Sequence, residues 1–273
     1  MKKNKSLLLS APYILWMLVF TLIPLGVVGY YAMTDPDTGA FTWSNIRDLW
    51  LFLPTLGSSV WYSLVSALIC LLLGYPVAYF IAHRQATVQK LLYMLVMLPM
   101  CMSFLLRTLA WVGLLETNGI LNRLLGLLGL GSVTMIGTPG AVILGMVYNY
   151  LPYMILPLYA IIVKIDNRLI EAAEDLGCTP VQVFARVVLP LSMPGILSGI
   201  TMVFVPAVST FYISQKLGGT DTMLIGDVIE RQFKSAGNPN LGAALSLVLM
   251  LLVFICTGIM NRFGSDEEGG VVV

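Results

Sequence analysis

Catalysis by a protein needs a nucleophile beside a base, converging carboxylates or a metal cluster. The 273-residue chain shows none of these patterns. It carries one histidine, His83, and four scattered cysteines, Cys70, Cys101, Cys178 and Cys256. One histidine cannot build a His-based metal cluster. Three of the cysteines lie in apolar runs, which argues against a disulfide framework. No stretch reads G-x-x-x-x-G-K-[ST], H-E-x-x-H or G-x-S-x-G. Two other kinds of chemistry remain. Arg107 is the one charge inside a long apolar run, and buried ionisable groups of that kind mark solute paths and gates. Glu171, Glu174 and Asp175 form an acidic cluster in a polar loop, chemistry suited to docking a protein.

The elements that carry these groups follow from composition. Residues of the AVILMFWYC set make up 58% and charged residues 11%, and mean hydropathy is +0.88. So little charge cannot cover a soluble core. A pI of 7.6 without a basic stripe excludes a nucleic-acid binder. Six apolar runs approach or exceed the ~20 residues a spanning helix needs: Leu7–Met33, Ser59–Ala82, Leu91–Leu115, Pro139–Val163, Pro194–Ser214 and Leu241–Asn261. They are too long and too evenly apolar for the alternating strands of a barrel. The first run follows a Lys-rich start but lacks a small-x-small cleavage site, so it reads as an uncleaved span. The expected fold class is therefore all-α, an integral membrane protein of six transmembrane helices, one domain over 1–273.

Orientation follows from Lys and Arg in short loops. With the N-terminus inside, nine basic residues fall inside (Lys2, Lys3, Lys5, Arg84, Lys90, Lys164, Arg168, Arg186, Arg262) and five outside (Arg47, Arg123, Lys216, Arg231, Lys234). An even number of spans returns the C-terminus to the cytoplasm, where residues 264–273 read as a disordered tail. Outside, Ile120–Leu125 is amphipathic and predicts a short interfacial helix.

Inside, the long loop 164–193 is the most informative segment. Asp166 or Asn167 can cap a helix that runs to about Leu176. Leu169, Ala172, Ala173 and Leu176 share one face; Glu171, Glu174 and Asp175 share another. Gly177 stands where a left-handed residue ends a helix. Thr179-Pro180-Val181-Gln182 then opens a second helix with a capping box and proline at its first position. Pro190 and Pro194 limit that helix. An acidic face lying on anionic lipid would be repelled, so the loop fits a protein partner.

At these residues the chain resembles the permease subunits of ABC importers. Glu171-Ala172-Ala173, Gly177 and Val187-x-Leu189-Pro190 are spaced as in their EAA signature. The resemblance implies a type I ABC importer permease fold. It also implies that Glu171, Ala172, Ala173, Asp175, Gly177, Leu189 and Pro190 couple the span region to an ATPase dimer. That dimer, and not this chain, would bind ATP and magnesium, and the chain itself would hold no cofactor. A second homologous permease and an extracytoplasmic substrate-binding protein complete the implied assembly, seated in the bilayer. A finer resemblance, to spermidine/putrescine permeases and closest to the B-type subunit, rests on several segments. These are Arg107-Thr108-Leu109-Ala110-Trp111, Gly145–Tyr148, Leu151–Met154, Pro157–Tyr159, Leu189–Ile196 and Phe211–Ser214. Leu109 stands where that group has tyrosine. The implied substrate is a polyamine, with another small solute such as thiamine or iron as the alternative within the family.

Arg107 has two readings, a pathway or gate residue and an arginine snorkelling to the outer headgroups. Measured along a straight span it lies about 24 Å from the inner end. Trp111, one turn on, and Glu116 are further pathway candidates, with Tyr148, Tyr153, Phe211 and Tyr212 as aromatic faces for a cation. Six prolines within spans, at 24, 76, 99, 152, 157 and 206, predict bends. A stand-alone secondary transporter would place acids or histidine in its spans. Five of these six spans carry no charge, so the energy must come from a partner.

Overall fold

A computed structural model describes residues 12–268, apart from 14, 37, 130 and 236. The Lys-rich start and residues 269–273 lie outside the described residues. Among the described residues, four helices are long and apolar enough to cross a membrane: α1 (Leu15–Ala32), the continuous stretch Ser44–Ala82 that contains α2 (Leu53–Ala82), α6 (Pro139–Ile162), and the apolar part, Pro239–Met260, of α12 (Pro239–Glu268). The third and fifth expected spans are each a bent pair, and six spans result when each pair counts as one.

The third pair bends by 86°. Helix α3 (Ala86–Met97) passes into a 3-10 turn, Leu98–Cys101, that contains Pro99. Met102 and Ser103 are extended, with ψ of 147° and 132°, before α4 (Phe104–Leu115) begins. The straight span over Leu91–Leu115 is therefore corrected, and with it the distance of Arg107 from the inner end: Arg107 stands in the first turn of a new helix. The following helix α5 (Ile120–Leu127) matches the amphipathic segment. Its connection is folded by buried Asn122, which bonds Glu116 O, Val133 O and Val133 N at 2.9–3.1 Å.

The fifth pair bends by 64°, between α8 (Pro180–Leu191) and α9 (Met193–Val208). Helix α8 ends at Leu191, between Pro190 and Pro194 as expected, and Pro190 is accommodated within it because a π turn over Phe184–Val188 precedes it. Pro24 likewise follows a π turn, Leu18–Leu22. In each case the proline lies two residues beyond the widened turn, where the carbonyl four residues back is drawn clear of the ring. The span itself stops at Val208 rather than Ser214. Ser209 Oγ donates to Val205 O and Pro206 O at 3.2 and 3.3 Å, taking up carbonyls at the helix end. A separate short helix, α10 (Tyr212–Leu217), follows.

The chain divides into two compact units. In the first, formed by residues up to Pro54 and Val228–Leu252, the end of α1 is held by amides. Asn45 Nδ2 donates to Ala32 O and Thr34 O at 3.2 and 2.9 Å, and Asn240 Nδ2 to Thr34 O at 2.6 Å. Ala32, Ala243 and Ala244 pack there with Val28, Leu49 and Leu247. Helix α12 continues through 264–268, where the sequence places the start of a disordered tail.

The second unit, Thr55–Asp227 with Val253 onwards, is built around α6. Thr138 Oγ1 caps it by accepting from Ala141 N at 3.2 Å, with Pro139 at the first position. This unit also holds the start of helix α11 (Ile225–Lys234), a helix the sequence reading does not anticipate. The first amides of α11 are satisfied by Ser59 Oγ, at 2.7 Å from Ile225 N, and by buried Asp227, whose Oδ2 lies 2.8 Å from Leu224 N. Lipid offers no hydrophobic drive between helices, so close contact depends on small residues. Gly74 of α2 packs on Met154 and Ile155, Gly195 and Gly199 of α9 on Ile161 and Met154, and Gly145 on Leu217 and Ile213. A Cβ at Gly199 would lie 2.6 Å from Met154 Sδ and 3.3 Å from Met154 O. Gly199→Leu is expected to destabilise the protein by about 1–3 kcal/mol through overpacking, read as a lower melting temperature in detergent, whereas Gly57→Leu, with open space around it, leaves melting unchanged.

Candidate functional site

Two places gather the residues singled out above. The first is the loop 164–193. Helix α7 (Asn167–Asp175) is capped by Asp166, whose Oδ1 accepts from Arg168 N at 3.0 Å. Gly177 has φ of +83°. Its N–H donates to Glu174 O at 2.8 Å, and Cys178 N donates to Ala173 O at 3.1 Å. This pair of bonds is the Schellman ending, which needs a left-handed residue. Two residues on, Thr179 N donates to Gln182 Oε1 at 2.9 Å and Gln182 N to Thr179 Oγ1 at 3.4 Å, the reciprocal box that opens α8. The bend between the two helices is thus fully bonded by its own residues.

The apolar face expected on α7 divides in two. Ala173 and Ile170 turn inward, and Ala173 joins Val183 and Val188 in a small cluster with Tyr79, Ile165, Cys178, Phe184 and Val187 around it. Leu169, Ala172 and Leu176 stay exposed, Leu176 at 86%, and Val181 beside them at 75%. Glu171, Glu174 and Asp175 are exposed around them, as is Pro190, while Leu189 packs against the main core. The loop therefore presents exposed apolar residues on one face of α7 and acids on another.

Behind the loop lies an anchor that sequence reasoning missed. Phe184 stands edge-on to Tyr75 and Tyr79 of α2, with centroids 5.4 and 6.1 Å apart. At the 64° bend, Ser192 Oγ lies 2.9 Å from Leu189 O, to which it donates, and 2.7 Å from Tyr75 OH. The i, i+4 tyrosines at the inner end of an apolar run were the available signal. Their partners are far away in sequence.

The second place is a cavity of about 410 Å³ in the second unit, lined by Phe104, Leu105 and Arg107 of α4, Asn149, Tyr150 and Tyr153 of α6, and Ser209–Tyr212 between α9 and α10. The break before α4 and the end of α9 border it. Interrupted helix is tolerated at membrane depth only where it is enclosed by protein or lines a cavity. Arg107 is 6% exposed, which sets aside the snorkelling reading. Its Nε and Nη1 have no hydrogen-bond partner among the described residues, and neither has Asn149 Oδ1. Asn149 Nδ2 donates to Gly145 O at 2.9 Å and Tyr150 OH to Pro206 O at 3.3 Å. The rings of Phe104 and Tyr212 are 6.3 Å apart.

Of the seven pathway candidates the cavity brings together Arg107, Tyr153, Phe211 and Tyr212. Trp111 and Tyr148 lie outside its lining and pair edge-on with each other, centroids 5.3 Å apart. Glu116 ends α4 and is exposed. Asn149 and Tyr150 were not singled out from sequence, since an Asn in an apolar helix gives no sign of which side it faces.

Residues 72–265 match the family model described as "Binding-protein-dependent transport system inner membrane component". The chain is similar to the spermidine/putrescine transport system permease protein PotB of Escherichia coli K12, 38% identical over 247 residues, covering 87% of this chain and 90% of that protein. It is 40% identical over 255 residues to the PotB permease of Haemophilus influenzae, covering 88% of each. Among solved structures it resembles a chain of a bacterial ABC transporter involved in the import of the acidic polysaccharide alginate, with a TM-score of 0.81, 19% identity and coverage of 97% and 96%. A second structure of a bacterial alginate ABC transporter, in complex with an alginate pentasaccharide-bound periplasmic protein, matches with a TM-score of 0.76, 19% identity and coverage of 95% and 94%.

The bonded bend generates a direct test. Valine at position 177 would be forced into the left-handed region at a cost of roughly 1–2 kcal/mol, and Gly177→Val is expected to open the α7–α8 bend. Limited proteolysis of inside-out vesicles should cut between Glu174 and Gln182 several-fold faster, with the amount of protein in the membrane unchanged.

Proposed function

The chain belongs to the family of binding-protein-dependent transport system inner membrane components, and on that premise we propose that it is the B-type permease subunit of an ATP-driven importer carrying polyamines such as spermidine and putrescine into the cytoplasm. The reading has the protein in the inner membrane as six spans of one permease domain, both termini cytoplasmic. Hydrolysis belongs to a separate subunit: an ATPase dimer binds ATP and magnesium, a second homologous permease forms the other half of the path, and an extracytoplasmic binding protein delivers the solute. The chain itself supplies no nucleotide site.

The observation that carries the ATP-driven reading is the folded α7–α8 loop. Its bend is rigidly bonded, its inner side is clamped to α2 through Phe184 and Tyr75, and its outer side leaves Leu176 and Val181 exposed among Glu171, Glu174 and Asp175. An apolar face beside an acidic face fits a cleft with one apolar wall and one basic wall. A push on such a loop moves the bend at Ser192, and with it α9, as one body. The polyamine assignment is supported by the relatives named for spermidine and putrescine and by the aromatic lining of the cavity, since aromatic faces hold ammonium groups.

Two measurements test these readings. The complex reconstituted with its partners is expected to take up labelled spermidine or putrescine only with ATP, and Leu176→Glu is expected to reduce co-purification of the ATPase at least tenfold while the permease pair stays assembled. Uptake of thiamine or an iron chelate without any polyamine uptake would overturn the substrate and leave the permease standing. Reporter fusions at Met1 and Val273 should both read cytoplasmic, and an external signal from either would overturn the topology.

A further inference from the structure

The cavity beside the start of α4 and the end of α9 holds an unusual pair of groups. Arg107 and Asn149 are 6% and 1% exposed, and each has side-chain polar atoms without a hydrogen-bond partner among the described residues. Arg107 leaves donors unused, Nε and Nη1, and Asn149 leaves an acceptor unused, Oδ1. Buried polar groups are nearly always satisfied, and an unsatisfied one in a native fold calls for a reason. The donors and the acceptor line one cavity and still do not bond each other. The guanidinium is therefore no substitute for whatever Asn149 Oδ1 is set to receive.

The rest of the wall indicates the chemistry of that occupant. Phe104, Tyr150, Tyr153, Phe211 and Tyr212 contribute π faces, whose quadrupole attracts cations and repels anions. An anion drawn to Arg107 would meet these rings and an amide oxygen. A group with N–H donors and a positive charge finds one free acceptor, Asn149 Oδ1, and several aromatic side chains in the same lining, with Arg107 as the one like charge.

We propose that this cavity is a transient site for one primary ammonium group, with Asn149 Oδ1 as its hydrogen-bond acceptor and Arg107 as a fixed like charge that keeps the hold weak. The inference deepens the polyamine reading above and rests on it. A carrier gains nothing from a tight intermediate in its membrane path, because each added increment of affinity must be overcome on release. Aromatic rings and a desolvated amide would bind an ammonium group firmly, and a guanidinium in the lining of the same cavity opposes this through Coulomb repulsion. In this role Arg107 is a positioning residue that sets affinity.

The test is equilibrium dialysis of labelled spermidine against the purified complex of both permeases and the ATPase, without the binding protein, together with ATP-dependent uptake in proteoliposomes supplied with the binding protein. Arg107→Met removes the charge and keeps the stem. It is expected to tighten spermidine binding by roughly tenfold and to slow uptake, because release becomes limiting. Arg107→Lys retains the charge and should behave as wild type. Asn149→Leu should weaken the binding seen in the Arg107→Met background. Unchanged binding and uptake in Arg107→Met and Asn149→Leu would overturn the proposal, and so would weaker binding in Arg107→Met, which would make the arginine a ligand for an anion. If Arg107→Met fails to assemble, Tyr153→Leu on the half-buried wall carries the test: weaker binding supports the site and unchanged binding overturns it. Failure of the wild-type complex to take up any polyamine would overturn the substrate reading and this site with it, whereas wild-type uptake with indifferent variants overturns this site alone.

Discussion

In hydrocarbon no water bonds the backbone, so every peptide group must find its partner inside the protein. The features of this chain that bear on transport are managed departures from that rule. One of its six apolar runs is interrupted, at Met102-Ser103; the helix before the fifth run bends away from it at Ser192, and the fifth run's helix ends early, at Val208. Side chains take up carbonyls at the second and third of these places. Ser209 Oγ takes the carbonyls of Val205 and Pro206, Ser192 Oγ takes that of Leu189, and Tyr150 OH reaches Pro206 O across from α6. The cavity lies where helix has been given up, and it is lined by the residues that begin or end the broken pieces.

The same constraint explains the role of small residues. Helices that cannot be driven together by water must touch closely, and α6 is approached through Gly74, Gly195 and Gly199. Packing this tight makes α6 and α9 a stiff pair. One end of α9 meets the bend at Ser192 and the other, at Val208 and Ser209, borders the cavity.

The loop itself shows how a docking element is kept ready. Its two helices are joined by a Schellman ending and a capping box in direct succession, so little conformational entropy remains to be lost on binding. Burial of Ala173 with Val183 and Val188 fixes which side of α7 packs inward and leaves Leu176 and Val181 exposed.

Local signals were legible in the sequence because they act within a few residues. Hydropathy marked six runs, and the caps at Asp166, Gly177 and Thr179 marked the loop, since a cap is satisfied by its own neighbours. The spacing of Glu171, Gly177 and Pro190 was enough for the family. Charge alone pointed to Arg107, but its two readings could not be separated, because exposure depends on what packs beside it. Pro99 indicated a bend in the third span but not its 86° size, which depends on what receives the freed backbone groups. The helix at Ile225–Lys234 went unseen because its first amide is satisfied by Ser59, 166 residues away. Asn149, Tyr150 and the Tyr75–Ser192 bond belong to the same class. Periodicity and caps are properties of the chain, whereas which polar atom is left without a partner, and which cavity it lines, is decided only when distant segments are brought together.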